Sequence, residues 1–155
     1  METVDLYMKV NNPHSRLIYI TGFIWNILSS ELDKTLSKTG LNLSKFNILM
    51  IIRFVGGEEG IQQNEISKKL LVTPSNITKL LDKLETEDFI TRNNKAGDKR
   101  VKIIKVTQKS ITLIDNIWQE YNQKVNSLCP DIKEYELLSL IDKLASWQKE
   151  LSKKK

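Results

Sequence analysis

The chain has 155 residues and a net charge of +5 at neutral pH, with one cysteine and one histidine. A chain of this length buries roughly 68–70% of its unfolded surface when it folds as one domain, so neither a disulfide nor a metal is needed for stability. The composition excludes an intrachain disulfide framework and argues against a metal site, and we expect one domain over residues 1–155 with no cofactor.

From the N-terminal residues and the apolar segments we expect neither a signal peptide nor a membrane span. The first residues, METVDL, lack the basic and apolar regions of a signal peptide. No apolar run approaches the roughly 18 residues that a membrane span needs. We therefore expect a cytoplasmic protein without a membrane partner.

A long first helix is predicted from Asn12 and Pro13 to about Ser37, with Gly40 ending it. Asn is a good cap, and proline suits the first helical position because its missing N–H costs nothing there. Apolar residues cover more than one face: Leu17, Ile18, Ile20, Phe23, Ile24, Trp25, Ile27 and Leu28. Such a helix must pack against later helices or against a second subunit.

The next segment predicts a buried helix followed by a turn. Ser44 is the predicted cap of this second helix, which runs from Phe46 through Val55 and is apolar nearly all round. Residues 56–60, GGEEG, predict a turn. This turn lacks the G-x-x-x-x-G-K-[ST] pattern of a phosphate-binding loop, so we assign it no ligand.

Two short helices separated by a tight turn are predicted over residues 63–86. The first spans 63–71, with Ile66 and Leu70 inward, and the turn is at 71–72. The second begins with Thr73 as cap and Pro74 at its first position. Its apolar stripe recurs at i, i+3, i+4 and i+7 and consists of Ile77, Leu80, Leu81 and Leu84.

The opposite face of the second short helix is polar. It carries Ser75, Asn76, Thr78, Lys79, Asp82 and Lys83. Short hydrogen-bonding side chains near a helix N-terminus, with lysines further along, suit insertion into the DNA major groove. A solvated helix face has a similar composition, so the helix alone leaves both interpretations open.

A basic hairpin follows directly. The segments 89–93 and 101–106 are rich in β-branched and apolar residues and bracket turn residues at 94–97. The tip and flanks carry Arg92, Lys95, Lys99, Arg100 and Lys102. Asp98 can orient the Arg100 guanidinium through charge-assisted hydrogen bonds and leave its other donors for a phosphate or a groove edge. After such a helix, this hairpin predicts a wing that binds DNA.

The positive charge is concentrated in this part of the chain. Residues 61–107 hold ten Lys/Arg against six Asp/Glu, a net +4, whereas the remainder holds fourteen against thirteen, a net +1. Clustering of this kind favours a polyanionic partner.

The segment Asp98 to Thr107, DKRVKIIKVT, resembles the D-x-R-x-x-x-[VI]-x-[VL]-T wing signature of the MarR family of winged helix-turn-helix transcription factors, and every fixed position matches. Residues 84–92, LETEDFITR, are similar to the family's link between recognition helix and wing. Asp88 stands where the family usually has Gly, and Asp tolerates the left-handed conformation moderately well.

The resemblance covers nearly the whole chain and implies a mainly α fold of the α+β winged-helix type. It implies a winged helix-turn-helix over 61–107, with the helix-turn-helix at 63–86, the wing at 89–107 and a short strand at Ile61. It also implies that helices within 13–38 and 108–153 form a dimerisation region.

Two C-terminal helices are predicted. Thr107 caps a helix to about Leu128. A heptad seam along it consists of Ile111, Ile114, Trp118, Tyr121, Val125 and Leu128. Asp131 is the predicted cap of the last helix, whose apolar stripe consists of Leu137, Leu138, Ile141, Leu144 and Trp147.

Terminal helices this apolar indicate a homodimer. A two-fold dimer places two recognition helices roughly 34–36 Å apart and reads a pseudopalindromic operator in double-stranded DNA. The resemblance implies an interface of the first, fifth and sixth helices, and the expected residues are Leu17, Ile20, Ile24, Trp118, Leu138, Ile141 and Leu144. It also implies a crevice for a small aromatic or amphipathic effector. Candidate lining residues, each equally suited to core or interface, are Tyr19, Phe23, Trp25, Phe46 and Trp118.

The leading hypothesis is a ligand-responsive transcriptional repressor, with specific roles for its polar residues. Ser75, Asn76, Thr78 and Lys79 contact base edges and phosphates, and Lys83 contacts the backbone. Arg100, oriented by Asp98, enters the minor groove, with Lys95, Lys99 and Lys102 on phosphates.

Two other classes are weighed against it. The chain lacks a nucleotide fingerprint and paired catalytic acids, which argues against an enzyme. The alternative is a non-catalytic helical interaction module with only nonspecific DNA affinity. Cys129 precedes Pro130 without an adjacent cationic cluster, so we expect a structural or incidental cysteine and not a redox switch.

Overall fold

The structure is a computed structural model that describes residues 12–70, 74–95 and 97–153; the side chains at 74, 75, 95, 98 and 99 also lie outside the description. The chain forms two compact units, Met1–Val125 and Asn126–Lys155. The fold is mainly α with a small antiparallel sheet, as the sequence predicts. In order, the described helices and strands are α1 (Pro13–Leu36), α2 (Leu43–Ile51), β1 (Ile61–Gln62), α3 (Gln63–Leu70), α4 (Pro74–Thr86), β2 (Ile90–Lys95), β3 (Asp98–Val106), α5 (Gln108–Leu128) and α6 (Glu134–Ser152).

Helix α1 begins and ends where local signals predict. The Asn12 side chain accepts a hydrogen bond from the His14 N–H at 3.0 Å, and Pro13 is the first helical residue. After Leu36 a 3₁₀ turn, Ser37–Thr39, leads to Gly40, whose φ of 73° lies in the left-handed region. Among the described helices, α1 included, none is long and apolar enough to cross a membrane.

Helix α2 lies at the centre of the first unit, with two corrections to the prediction. The cap is Asn42, whose side chain accepts from the Lys45 N–H at 2.9 Å, so Ser44 lies inside the first turn and is not the cap. Phe46 is fully buried, but Phe54 is 60% exposed. The predicted burial fails at this end, because in the π turn Ile52–Gly56 that follows the helix only Ile52 is buried, while Val55 is 54% exposed.

The hydrophobic core of this unit is formed by side chains from its helices and from the sheet. Its fully buried side chains include Leu36, Phe46, Ile48, Leu49, Ile52, Ile66, Ile77, Leu81, Leu84 and Ile104. Members from α3, α4 and β3 contribute one apolar face each, which fixes these elements against α2. The polar faces of α3 and α4 are therefore left on the outside.

The sheet has the order β1, β3, β2, and all pairings are antiparallel. Ile61 pairs with Ile104, which confirms the short strand expected at Ile61. The predicted four-residue loop at 94–97 is wrong, because Asn94 pairs with Lys102 and Lys95 pairs with Asp98 after a register shift. The hairpin strands are therefore longer than expected, and Gly97, with φ of 83°, lies in the short turn between them.

Gly60 allows β1 to approach β3. Its φ is +79°, and an added Cβ would lie 2.7 Å from the carbonyl oxygen of Ile104. Both the conformation and the close approach exclude a larger residue without a shift of the strand.

Helix α4 ends in a Schellman motif around Asp88, which has a φ of 59°. The Phe89 N–H donates to the Leu84 carbonyl at 2.8 Å, and the Asp88 N–H donates to the Glu85 carbonyl at 3.0 Å. The apolar pair that accompanies this motif, Leu84 and Phe89, is buried. Asp88 therefore takes the left-handed conformation that glycine most often occupies at a helix end.

Helix α5 confirms the predicted cap, since the Ser110 N–H donates to the Thr107 hydroxyl at 3.3 Å. Of the predicted seam, Ile114 is buried and Trp118 is 39% exposed in the single chain, and Ile117, outside the seam, is also buried. On the side towards α2, Tyr121 packs on Phe46 with ring centroids 4.7 Å apart.

The second unit contains α6. The predicted cap at Asp131 is wrong, because the helix starts at Glu134 and the Lys133 N–H donates to the Glu136 carboxylate at 3.2 Å. None of the described residues of α6 is buried. Its apolar stripe includes Leu138, Ile141 and Leu144, which are 54%, 50% and 41% exposed.

Replacing Asp88 by glycine should stabilise the protein. A side chain in the left-handed region costs roughly 1–2 kcal/mol, and less for Asp. We expect Asp88→Gly to raise the free energy of unfolding by up to about 1 kcal/mol. Denaturant unfolding at one fixed protein concentration measures this. The control Asp88→Ala keeps the Cβ and should give no gain; an equal gain from both variants would show that the carboxylate, and not the backbone, is responsible.

Glu31 should make stability depend on acid pH. Hydrogen bonds from Lys124 of α5 and from Lys34 lower the pKa of Glu31 from 4.5 to about 2. Because the folded pKa lies below the ordinary value, this stabilisation is complete above pH 4.5 and is lost as the pH falls towards 2. Glu31→Gln should flatten the fall of the thermal midpoint over this window, and an unchanged pH profile would contradict the assignment.

Candidate nucleic-acid interface

Helix α4 packs its apolar face into the core, which leaves its polar face exposed to solvent. Ile77, Leu81 and Leu84 have no exposed surface. On the other side Asn76, Thr78, Lys79, Asp82 and Lys83 are exposed. The side chain of Ser75 lies outside the description, so its proposed role stays a prediction, and the cap at Thr73 and the turn at 71–72 fall on residues that are not described.

The two short helices are joined by polar as well as apolar contacts. The Gln63 amide of α3 donates a hydrogen bond to the Thr78 hydroxyl of α4 at 2.8 Å. Thr78 is exposed, so this bond fixes its side chain at the surface and does not bury it. A threonine already positioned in this way loses less side-chain entropy when it meets a ligand.

Arg92 has a different role from the one that its place in a basic hairpin predicts. Its Nη2 lies 2.6 Å from an Asp82 carboxylate oxygen, and its side chain is only 15% exposed. Its Nε lies 3.1 Å from Glu85, within ion-pair range but outside hydrogen-bond geometry. Arg92 therefore ties β2 to α4 and is not a residue of the DNA-facing surface, which corrects the grouping with the lysines of the wing.

Two basic residues of the wing lie on the outside of β3. Arg100 and Lys102 are exposed. Lys102 donates from Nζ to the Asn94 side-chain oxygen at 2.6 Å, across the hairpin. The side chains of Lys95, Asp98 and Lys99 lie outside the description, so the orientation of Arg100 by Asp98 stays a prediction.

A polar cleft brings α3 and the wing together. It has a volume of about 240 Å³ and is lined by Gln62, Gln63, Asn64, Arg100, Val101 and Lys102. Sequence reasoning assigned no role to the first three of these residues, because their meeting with β3 depends on the pairing of β1. The sequence signal for them is a run of three consecutive amide side chains where β1 passes into α3.

The five predicted effector-pocket residues differ in their burial, and their shared role stays a prediction. Phe46 is in the core, while Tyr19 and Trp25 are 46% and 60% exposed, and Phe23 is half-buried. The Trp118 ring stacks on the Tyr121 ring with centroids 6.3 Å apart, and it lies tilted beside the Phe54 ring with centroids 6.0 Å apart. A groove of about 590 Å³ contains none of the five; it is lined by Lys38, Thr39, Gln108, Lys109, Thr112, Leu113, Asn116 and Ile117.

Comparison with known proteins agrees with this geometry. The family model described as MarR family matches residues 41–102, which include α2, the paired short helices and most of the wing. The chain is 25% identical over 122 residues to the HTH-type transcriptional regulator MhqR of Bacillus subtilis (strain 168), covering 79% of this chain and 82% of that protein. Residues 41–102 of the chain therefore match the MarR family, and this relative is named an HTH-type transcriptional regulator.

Solved structures share the MarR fold with this chain. The S. aureus MepR–DNA complex has a TM-score of 0.70 at 24% identity and covers 83% of this chain and 95% of that one. CouR from Rhodococcus jostii RHA1, bound to p-coumaroyl-CoA, has a TM-score of 0.73 at 22% identity and covers 87% and 91%. At these identities the likeness establishes the MarR fold alone.

Arg92→Met should destabilise the fold. Charge-assisted hydrogen bonds contribute about 1.5–3 kcal/mol, but solvent screens this ion pair because Asp82 is 60% exposed, so we expect a loss of about 1 kcal/mol. Denaturant unfolding measures the change. Lys83→Met removes one charge from the exposed face of α4 and should change stability by less than about 0.5 kcal/mol. If the two variants unfold alike, Arg92 does not tie the wing to α4.

Proposed function

We propose that this protein is a MarR-family, sequence-specific regulator of transcription that binds double-stranded DNA as a homodimer. The observation that carries the proposal is the exposed polar face of α4 next to a basic hairpin that Arg92 fixes to the same helix. A helix positioned in this way fits the major groove, while the hairpin reaches the adjacent minor groove.

Each polar residue then has a role in DNA binding. Ser75, Asn76, Thr78 and Lys79 read base edges and nearby phosphates, and Lys83 contacts the backbone. Arg100 enters the minor groove, and Lys95, Lys99 and Lys102 contact phosphates, with Asp98 orienting Arg100. Gln62, Gln63 and Asn64, at the polar cleft, add hydrogen-bond donors for a phosphate between the helix-turn-helix and the wing.

A second copy of the chain is the proposed partner of the exposed apolar residues. In α1, Leu17, Ile20 and Ile24 are 46%, 37% and 51% exposed. In α6 the stripe of Leu138, Ile141 and Leu144 is exposed, as is Trp118 of α5. Burying these side chains between two copies removes apolar surface from water. Residues 13–38 and 108–153 thus form the dimerisation region of one functional domain, 1–155.

We include a small aromatic or amphipathic effector and a repressor role in the proposal. The support is the CoA-thioester ligand of CouR and the aromatic side chains Tyr19, Phe23, Trp25 and Trp118 near the proposed dimer surface. Phe46 is the one candidate whose side chain is fully enclosed in the core, so its contribution is to support Tyr121. Effector binding shifts the dimer towards a geometry that releases DNA.

Selection of bound sequences from a randomised duplex pool tests the proposal. The purified protein is used at one fixed salt concentration and at a known oligomeric state. We expect an enriched palindrome with half-sites about one helical turn apart. If no sequence is enriched and binding disappears at modest salt, the chain is instead an interaction module with nonspecific DNA affinity.

Arg100→Ala should weaken binding to the enriched duplex by about 1–3 kcal/mol, because the minor-groove contact is lost. The thermal midpoint and the oligomeric state should not change. Arg100→Lys is the matched control: it keeps the charge and the affinity for unrelated DNA but lacks the planar fork, so specific binding still falls. Unchanged specific affinity in the alanine variant would contradict the role of the wing.

A further inference from the structure

The C-terminal end of α4 is held by the first turn of α5. Three successive carbonyl groups, those of Glu87, Asp88 and Phe89, accept hydrogen bonds from this turn. Thr107 donates its hydroxyl to Asp88 at 2.9 Å and its N–H to Phe89 at 3.1 Å, and the Ser110 hydroxyl also donates to Phe89. These three carbonyls follow Thr86, the last residue of α4, and so have no partners within the helix.

Lys109 makes the contact nearest to α4 itself. Its Nζ lies 2.6 Å from the carbonyl oxygen of Glu87 and 4.4 Å from the centre of the Phe89 ring. An ammonium group at a helix C-terminus interacts favourably with the helix dipole, and the aromatic ring adds a cation–π attraction. The Lys109 ammonium group is thus held by the residue before Asp88 and by the residue after it. We call the segment Glu87 to Phe89 the corner.

The same corner is also held from α2. The Glu87 carboxylate lies 2.6 and 2.7 Å from Lys45 Nζ through its two oxygens, and the Lys45 side chain is only 12% exposed. Glu87 therefore contacts one helix through its side chain and another through its carbonyl. The end of α4 is located by two supports that do not touch DNA in the proposed arrangement.

Helix α5 is itself a firm support. Arg53, which follows α2, lies 2.8 Å from Asp115 and donates to the Ile111 carbonyl at 3.3 Å. The Phe46 and Tyr121 rings pack together two turns further along. A displacement of the first turn of α5 would therefore be passed to α4 through short, directional contacts and not through soft packing.

We propose that Lys109 is a positioning residue that sets the orientation of α4 against the dimerisation helix α5 and thereby the sequence selectivity of DNA binding. This inference rests on the proposed role of α4 as the DNA-reading helix. Lys109 also lines the groove of about 590 Å³ with Lys38, Thr112 and Asn116, so a molecule in that groove would meet the residue that holds α4.

The test compares Lys109→Met with Lys38→Met. Lys38 lies in the same groove, is 72% exposed and pairs with Glu120, so its loss gives the same change of charge without touching α4. For Lys109→Met we expect the dissociation constant for the duplex enriched by the wild-type protein to rise roughly tenfold, about 1.4 kcal/mol. Binding to an unrelated duplex should change no more than in Lys38→Met. Lys109→Arg should restore selectivity, since a guanidinium can also donate to the Glu87 carbonyl.

Hydrogen exchange gives a second measurement that needs no operator. In Lys109→Met the amides of Asp88 and Phe89 should exchange roughly tenfold faster, and in Lys38→Met they should not. Unchanged exchange, or equal weakening on both duplexes, would overturn the proposal. If the wild-type protein enriches no sequence, the proposed function fails; if it does and Lys109→Met keeps full selectivity, only the positioning role fails.

Discussion

The candidate nucleic-acid interface depends on the left-handed turn at Asp88. This turn reverses the chain from α4 into β2, and its two backbone bonds fix the wing at one angle to the helix. The proposed DNA contacts of α4 precede this turn in the chain, and those of the wing follow it. The carbonyls that it exposes are the same groups that α5 holds, so one local conformation serves both the helix end and its attachment.

The basic residues of this chain divide into two sets that composition alone does not separate. Arg92, Lys45 and Lys109 reach carboxylates or carbonyls of the protein and stabilise its corners. Lys79, Lys83 and Arg100 lie on the exposed surfaces of α4 and β3. Of the first set only Arg92 lies within residues 61–107, and its pairing with Asp82 cancels inside that segment, so the net +4 is carried by its other residues.

The sequence predicts well those features that residues close together in the chain determine. Asn12 with Pro13, Thr107, Gly40 and the apolar stripe of α4 each act within one or two turns, and the structure confirms them. The failures depend on distant contacts. The hairpin pattern groups Arg92 with the basic residues of the wing because its carboxylate partners, Asp82 and Glu85, lie on another element. The cleft at Gln62 exists only once β1 has paired with β3. Ser44 and Asp131 failed because a better cap or a later start was available nearby.

The position of Gly60 limits which inherited substitutions the protein can tolerate. It touches none of the proposed DNA contacts, yet any side chain there would collide with the backbone of β3. A single-codon replacement would push the wing strand aside while leaving every base-reading residue intact. Alleles that abolish regulation would then map to a surface turn before α3, where inspection of the DNA-facing residues alone would dismiss them as neutral.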